Sequence, residues 1–284
     1  EKTLNARRNM LKNHVLPHIG GKSITHIDRS MILDVLKTID AKGFCDQVKN
    51  AKMHSSNIFK TAIIEGLVTV NPCDFDNRNM FVRKNVESRA SISAKEVPQF
   101  MAKLDQEDLS VAAQACRFLG LTVLRTTEMR LLEWSFVKGD ILDCPAHIMK
   151  GPIGKKRAHV VPLSTQALEI LENMKKQKHN SKYIFPNLHQ LDAPSNTNIV
   201  LNLIWKMGYK GQMTGHGWRS IFTTWANEND FLDKHIEFQM AHLDKNKTRL
   251  TYNKAQYLPQ RANLVQAWAN FLMPQAEESQ LLRA

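Results

Sequence analysis

The feature that most constrains this chain is a break in its hydrophobic pattern. Apolar residues recur at helical spacing from the start of the chain to about residue 85, and again from Ser93 onward. Between them, Asp76-Asn77-Arg78-Asn79 and Arg83-Lys84-Asn85-Val86-Glu87-Ser88-Arg89 are polar and weakly periodic. Such a stretch offers no apolar face to bury and reads as a linker over 76–92. Two domains are therefore expected, residues 1–85 and 86–284, which suits a chain of 284 residues. Hydrophobic residues make up 43%, enough for a buried core.

The first domain reads as a compact bundle of short helices. Thr3 to Leu11 is amphipathic and is ended by Pro17 and Gly20-Gly21. Ser30 to Lys42 is closed by Gly43, Asp46 to Glu65 is followed by Gly66, and Asn71-Pro72 stops the run. The second domain opens at Ser93 with Glu96 completing a capping box. Val111 to Leu132 reads as one long apolar helical stretch. Ile141–Cys144, His147–Lys150 and Ala158–Leu163 read as strands, with Gly151-Pro152-Ile153-Gly154 turning a hairpin between the last two. Ser164 opens a helix through Gln177, and helices follow at Asn196–Met207, Trp218–Asn227, Lys234–Met240 and Arg261–Leu272. The expected class is mainly α with a small β-sheet (α+β).

The net charge is +12 and the pI about 9.6, a balance that favours a polyanionic partner because cation–phosphate contacts release counterions. In the first domain Arg7, Arg8, Lys12, Lys49, Lys52 and Lys60 are the candidate DNA-binding cations, although a solvated helix face accounts for any one of them. No apolar run reaches membrane-spanning length and no basic amphipathic helix shows an exposed aromatic face, so no membrane partner is expected. Cys45, Cys73, Cys116 and Cys144 are scattered without metal-ligand spacing and read as reduced residues of a cytoplasmic protein. The chain begins with Glu1, which points to a fragment or processed product with further sequence upstream.

Breaking a phosphodiester without a metal requires a nucleophile, cations on the non-bridging oxygens, a base and an acid. Arginine suits the clamp because its planar fork matches phosphate and stays charged. Three clusters carry such groups. Arg125 and Glu128 lie three apart, on one face of the expected helix, where an ordinary ion pair is the simpler account. Thr214-Gly215-His216-Gly217-Trp218-Arg219 sets Arg219 one turn after His216 at a helix entry. Ala241-His242 is followed ten residues later by Tyr252, among Lys245, Lys247, Arg249 and Lys254.

In order and spacing these clusters resemble the tyrosine recombinase family, and within it the phage and genomic-island integrases. Arg125-x-x-Glu128 is similar to the family's first box, His216-x-x-Arg219 to the second, and Ala241-His242 with Thr251-Tyr252-Asn253-Lys254 to the third. Lys150, before His159-Val160-Val161-Pro162-Leu163-Ser164, matches the family's mobile hairpin lysine. His14 to Gly20 and Gly66 to Pro72 are similar to the helical core-binding domain. One departure is Val123, where the family has glycine two residues before the first arginine.

The resemblance implies a core-binding DNA domain followed by a catalytic domain that joins and breaks DNA through a 3′-phosphotyrosyl bond to Tyr252. Arg125 and Arg219 would hold the phosphate oxygens, Lys150 would protonate the leaving 5′ oxygen, and His216 would act as base or phosphate ligand. His242 would donate a hydrogen bond to the phosphate, and Glu128 would orient Arg125 from behind. The implied partners are double-stranded DNA attachment sites, further copies forming a homotetramer in the synaptic complex, and an excisionase and a DNA-bending host protein. The implied location is cytoplasmic, with the bacterial nucleoid. No cofactor is expected, since the covalent bond stores the phosphodiester energy, and no carboxylate cluster offers a metal site. A terminal segment containing Trp268 and Phe271 and ending beyond Leu281-Leu282 would dock on a neighbouring protomer or cap its own domain. Alternatives are a type IB topoisomerase-like strand transferase and, on the strength of Val123, a catalytically impaired DNA-binding regulator. A metal-dependent nuclease built on His216 and His242 lacks clustered acidic residues.

Overall fold

The computed structural model describes residues 2–76, 80–81, 90–107, 109–151, 154, 156–242 and 256–274. Most of the 76–92 linker, Tyr252 and the tail beyond Pro274 lie outside these residues. The chain divides into two compact units, Glu1–Glu87 and Ser88–Ala284.

The first unit is helical: α1 (Lys2–His14), α2 (Leu16–Ile19), α3 (Arg29–Ala41) and α4 (Cys45–Ile64). Pro17 was expected to end the first helix. It instead sits in the first turn of α2, where proline's missing N–H is harmless. Asp28 caps α3 by accepting from the Met31 amide at 2.9 Å, and Ile32, Val35, Leu36 and Ile39 bury one face. Val48, Ala51, Phe59 and Ala62 of α4 are buried likewise. Gly43 and Gly66 follow these two helices with positive φ, as the expected stops require.

The second unit is mainly helical with two small antiparallel sheets. The Ser93–Glu96 capping box is formed and leads into α5 (Val97–Asp105). Next come α6 (Val111–Thr122) and α7 (Thr126–Arg130). The single long helix expected from Val111 to Leu132 is thus broken at 123–125. Periodicity did not reveal the break because both pieces are buried. Strands β1 (Val137–Lys138), β2 (Ile141–Cys144) and β3 (His159–Pro162) form a sheet in that order, with Cys144 opposite His159. The His147–Lys150 run is not a strand. It is a turn whose Ile148 and Met149 enter the core, so its alternation reports burial and not pairing. The hairpin pairs β2 with β3 across a longer connection, of which Pro152, Ile153 and Lys155 are not described.

Ser164 caps α8 (Thr165–Lys176) as expected. A second hairpin, β4 (Pro186–Asn187) with β5 (Gln190–Pro194), was not expected, because its proline-bounded strands carry no alternating pattern. Then follow α9 (Ile199–Lys206), α10 (Gly217–Glu228), α11 (Asp233–Gln239) and α12 (Leu258–Leu272). Helix α6 is buried almost all round and is the centre of the unit, in contact with α8, α9, α10 and α12. Trp268 of α12 is wholly buried and its indole N–H donates to the Gly120 carbonyl at 2.8 Å. Helix α12 therefore caps its own domain. Among the described residues no helix is long and apolar enough to cross a membrane.

Candidate active site

The site begins where α6 ends. Val123 adopts a left-handed conformation, φ 49° and ψ 24°, and closes the helix with its amide on the Leu119 carbonyl. That conformation favours glycine, the residue that the family resemblance leads one to expect at this place. Val123 keeps the geometry at some strain.

Two residues on, Arg125 is extended and caps α7. The expectation that Arg125 and Glu128 share a helix face is corrected here: Arg125 precedes the helix, and the three-residue spacing is that of a capping box. Glu128 is wholly buried. Its carboxylate accepts from the Arg125 amide at 3.0 Å, from Arg125 Nη1 at 2.9 Å and from the Lys150 amide at 3.0 Å. A buried carboxylate left without such donors would cost several kcal/mol, so about that many are expected around it. Glu128 thereby joins Arg125 to the Lys150 turn, while the Lys150 side chain itself is exposed.

The second arm is the entry to α10. A Cβ on Gly215 would lie 2.9 Å from Thr126 Oγ1, and one on Gly217 would lie 3.0 Å from the Ala90 carbonyl. Gly215 thus lets this loop press against the start of α7, and Gly217 lets it lie close to Met213 and the Ala90 carbonyl. His216, half-buried, caps α10, and Arg219 lies in its first turn, as the Gly-His-Gly entry suggested.

Arg219 is only 4% exposed. Nη1 donates to the Val123 carbonyl, and Nη2 donates to the Met240 carbonyl at 2.7 Å and to His242 Nε2 at 2.8 Å. Both carbonyls lie at helix C-termini, of α6 and α11, where partial negative charge gathers. Burial, and next the charge of Arg125, push the Arg219 pKa down to about 10, which leaves the guanidinium ionised at neutral pH. His242 in turn meets Glu237 Oε2 through Nδ1 at 2.8 Å.

A frame that the residue pattern did not announce supports this arrangement. Arg261 of α12, 1% exposed, donates to Gln239 Oε1 from Nε and Nη2 at 3.1 and 2.9 Å, and to the Val160 carbonyl at 2.6 Å. Gln239 donates onward to the Thr122 carbonyl at 3.3 Å. Burial lowers the Arg261 pKa to about 10. His159 Nε2 lies 3.2 Å from the Gln239 carbonyl, and burial, with the charge of Arg261, pushes its pKa down to about 4. A charged residue inside an apolar helix was the available signal for Arg261. Gln239 carried none, since its partners come from distant parts of the chain.

The structure therefore brings Arg125, Glu128 and the Lys150 amide together, and Arg219 and His242 together, with the two arginines near enough to interact. Tyr252 lies outside the described residues. Tyr257 begins α12 and packs against the rings of His235 and Phe238, with Lys234 Nζ 5.0 Å from its ring centre. In the first unit Arg7, Arg8, Lys12, Lys49 and Lys60 are exposed. Lys52 is half-buried, with Nζ 4.4 Å from the Phe75 ring centre and bonded to the Phe75 carbonyl. Among the described residues no group of His, Cys, Asp and Glu could hold a metal ion.

Comparison with known proteins agrees with this reading. Residues 90–258 match the phage integrase family, and residues 1–75 match the phage integrase central domain. The chain is 34% identical to the prophage integrase IntZ of Escherichia coli K12 over 267 residues, covering 93% of this chain and 64% of that protein. It is 32% identical to the integrase of Shigella phage Sf6 over 269 residues, covering 93% and 68%. The chain thus spans about two thirds of the length of these relatives. In fold it is similar to the Tn1549 transposon integrase, solved in complex with circular intermediate DNA, at a TM-score of 0.71 and 16% identity over 93% of each chain. On the family match and these relatives, the chain belongs to the phage integrase family of tyrosine recombinases.

Proposed function

We propose that this protein is a site-specific DNA integrase that breaks and rejoins DNA through a 3′-phosphotyrosyl intermediate. The observation that carries the reading is the convergence of Arg125 and Arg219, two guanidiniums held by buried acceptors beside His242. Two guanidiniums held side by side by buried acceptors make a ready receptor for a phosphate. In this reading the Tyr252 oxygen attacks phosphorus and the bond to the 5′ oxygen breaks. His216 takes the phenol proton and Lys150 supplies one to the leaving 5′ hydroxyl. Glu128 positions both Arg125 and the Lys150 turn, and His242 braces through Nε2 the Arg219 guanidinium that holds the phosphate. The covalent bond keeps the phosphodiester energy for the rejoining step, so the chemistry calls for neither ATP nor metal.

The substrate is a pair of double-stranded attachment sites, brought together by a homotetramer at the bacterial nucleoid, with an excisionase and a DNA-bending host protein as accessory partners. Residues 1–85 form the core-binding domain, with Arg7, Arg8, Lys12, Lys49 and Lys60 as phosphate contacts, and residues 86–284 the catalytic domain. The net charge of +12 supports a DNA partner. The test is a nicked suicide substrate. The wild-type chain should form a covalent adduct mapped by mass spectrometry to Tyr252, and Tyr252→Phe should bind DNA without forming it. Tyr257→Phe should still cleave, since its ring is engaged in packing. An adduct on Tyr257, or one formed by Tyr252→Phe, overturns the assignment of the nucleophile, and absence of any adduct from the wild-type chain overturns the enzyme.

A further inference from the structure

The end of α11 is an unusual helix stop. Ala241 is left-handed at φ 52°, its amide donates to the Phe238 carbonyl at 3.1 Å, and the His242 amide donates to the Glu237 carbonyl at 2.9 Å. That is a Schellman motif, whose backbone places the side chain after the turn over the last turn of the helix. The two side chains so paired are commonly apolar. Here they are a carboxylate and an imidazole, 2.8 Å apart.

The direction of each hydrogen bond follows from Arg219. A guanidinium offers only donors, and this one stays charged at neutral pH. His242 Nε2, 2.8 Å from Arg219 Nη2, must therefore accept with its lone pair. The ring proton then sits on Nδ1 and is donated to Glu237 Oε2. A ring flipped about its bond to Cβ would meet both partners with carbon atoms, so one orientation and one tautomer satisfy both ends. Arg219 is itself anchored by two backbone carbonyls, so the ring is held between a fixed cation and a carboxylate.

We infer that Glu237 is a positioning residue for the Arg219–His242 pair: its carboxylate holds His242 as the Nδ1–H tautomer, with Nε2 turned to Arg219, before any phosphate arrives. Its bearing on catalysis rests on the reading of this site as the integrase centre; the tautomer does not. Glu237 touches neither phosphate nor nucleophile in this scheme and acts only through the ring. Its side chain is about half exposed, so its replacement leaves the core untouched.

The experiment has two arms. In the first, imidazole ¹⁵N shifts of the DNA-free full chain are recorded at pH 8, with His242→Asn identifying the signals. Wild-type His242 should carry its proton on Nδ1. Glu237→Gln should keep that state because its amide oxygen still accepts, and Glu237→Ala should lose it to an Nε2–H population. In the second arm, single-turnover cleavage by Glu237→Ala should slow by roughly tenfold at unchanged DNA affinity, with Glu237→Gln restoring most of the rate. A wild-type ring protonated on Nε2, or a Glu237→Ala ring still protonated on Nδ1, overturns the inference. A wild-type chain that never cleaves DNA sinks the functional reading alone, since the first arm needs no DNA.

Discussion

The carbonyl of Val123 accepts a hydrogen bond from Nη1 of Arg219, 96 residues further along the chain. The left-handed turn at Val123 therefore does two things: it ends α6 and helps anchor a buried guanidinium. A departure that looked like damage to the site leaves the backbone conformation a glycine would adopt. The side chain compensates for strain by being fully buried.

This relationship predicts an inverted order of stabilities at position 123. Val123→Ala should be destabilising by about 1–2 kcal/mol, because it gives up buried methyl groups and keeps the left-handed strain. Val123→Gly should be more stable than Val123→Ala by about 1 kcal/mol, since glycine removes the strain. Urea melts of the three proteins check this, and an alanine variant more stable than the glycine variant would count against it.

Glu128 should be intolerant of even small changes. Glu128→Ala leaves the amides of Arg125 and Lys150 without their acceptor and should lose about 3 kcal/mol of stability. Glu128→Gln turns an NH2 group toward one of these donors and should recover only part of it. Both variants should lower adduct yield more than DNA affinity, because the defect lies in the placement of Arg125 and Lys150. Thermal melts and the suicide-substrate assay read the two effects separately.

His159 makes stability depend on pH. Its pKa is about 4 when folded, against an ordinary value of 6.5, so the unfolded chain binds the extra proton in between. Its contribution is complete above about pH 6.5 and is lost as pH falls toward 4, by at most about 3 kcal/mol. His159→Asn should show a flatter fall in stability between pH 7 and pH 4.5, measured by urea melts. Equal slopes for the two proteins would refute the assignment to His159.

The cations of the first unit should divide into two kinds. Replacing Arg7, Arg8 and Lys12 with alanine should weaken binding to any DNA sequence and reduce the slope of log affinity against log salt by about one per contact removed. Lys52→Ala should leave that slope unchanged and lower the melting temperature, because Lys52 is engaged with Phe75. Titrations at several salt concentrations and a melt of each variant distinguish the two.

What the sequence determined by itself is whatever depends on neighbours along the chain. Helix starts at Ser93 and Ser164 and stops at Gly43 and Gly66 were all legible, because caps and left-handed glycines act within a turn or two. The order of the Arg125, His216–Arg219 and His242 clusters was legible for the same reason, since order and spacing are properties of the sequence.

Tertiary structure decided where those residues point and what holds them. The break at Val123 was hidden because α6 and α7 are both buried, and burial supplies apolar residues without regard to period. Burial likewise made His147–Lys150 imitate a strand. The acceptors of Arg219 are two backbone carbonyls, and a carbonyl has no letter in the sequence. Gln239 joins Thr122 to Arg261, and Arg261 reaches Val160, across separations of about a hundred residues or more in two of the three links. Such links form only because the core brings those elements to one place, where a buried donor must find its acceptor.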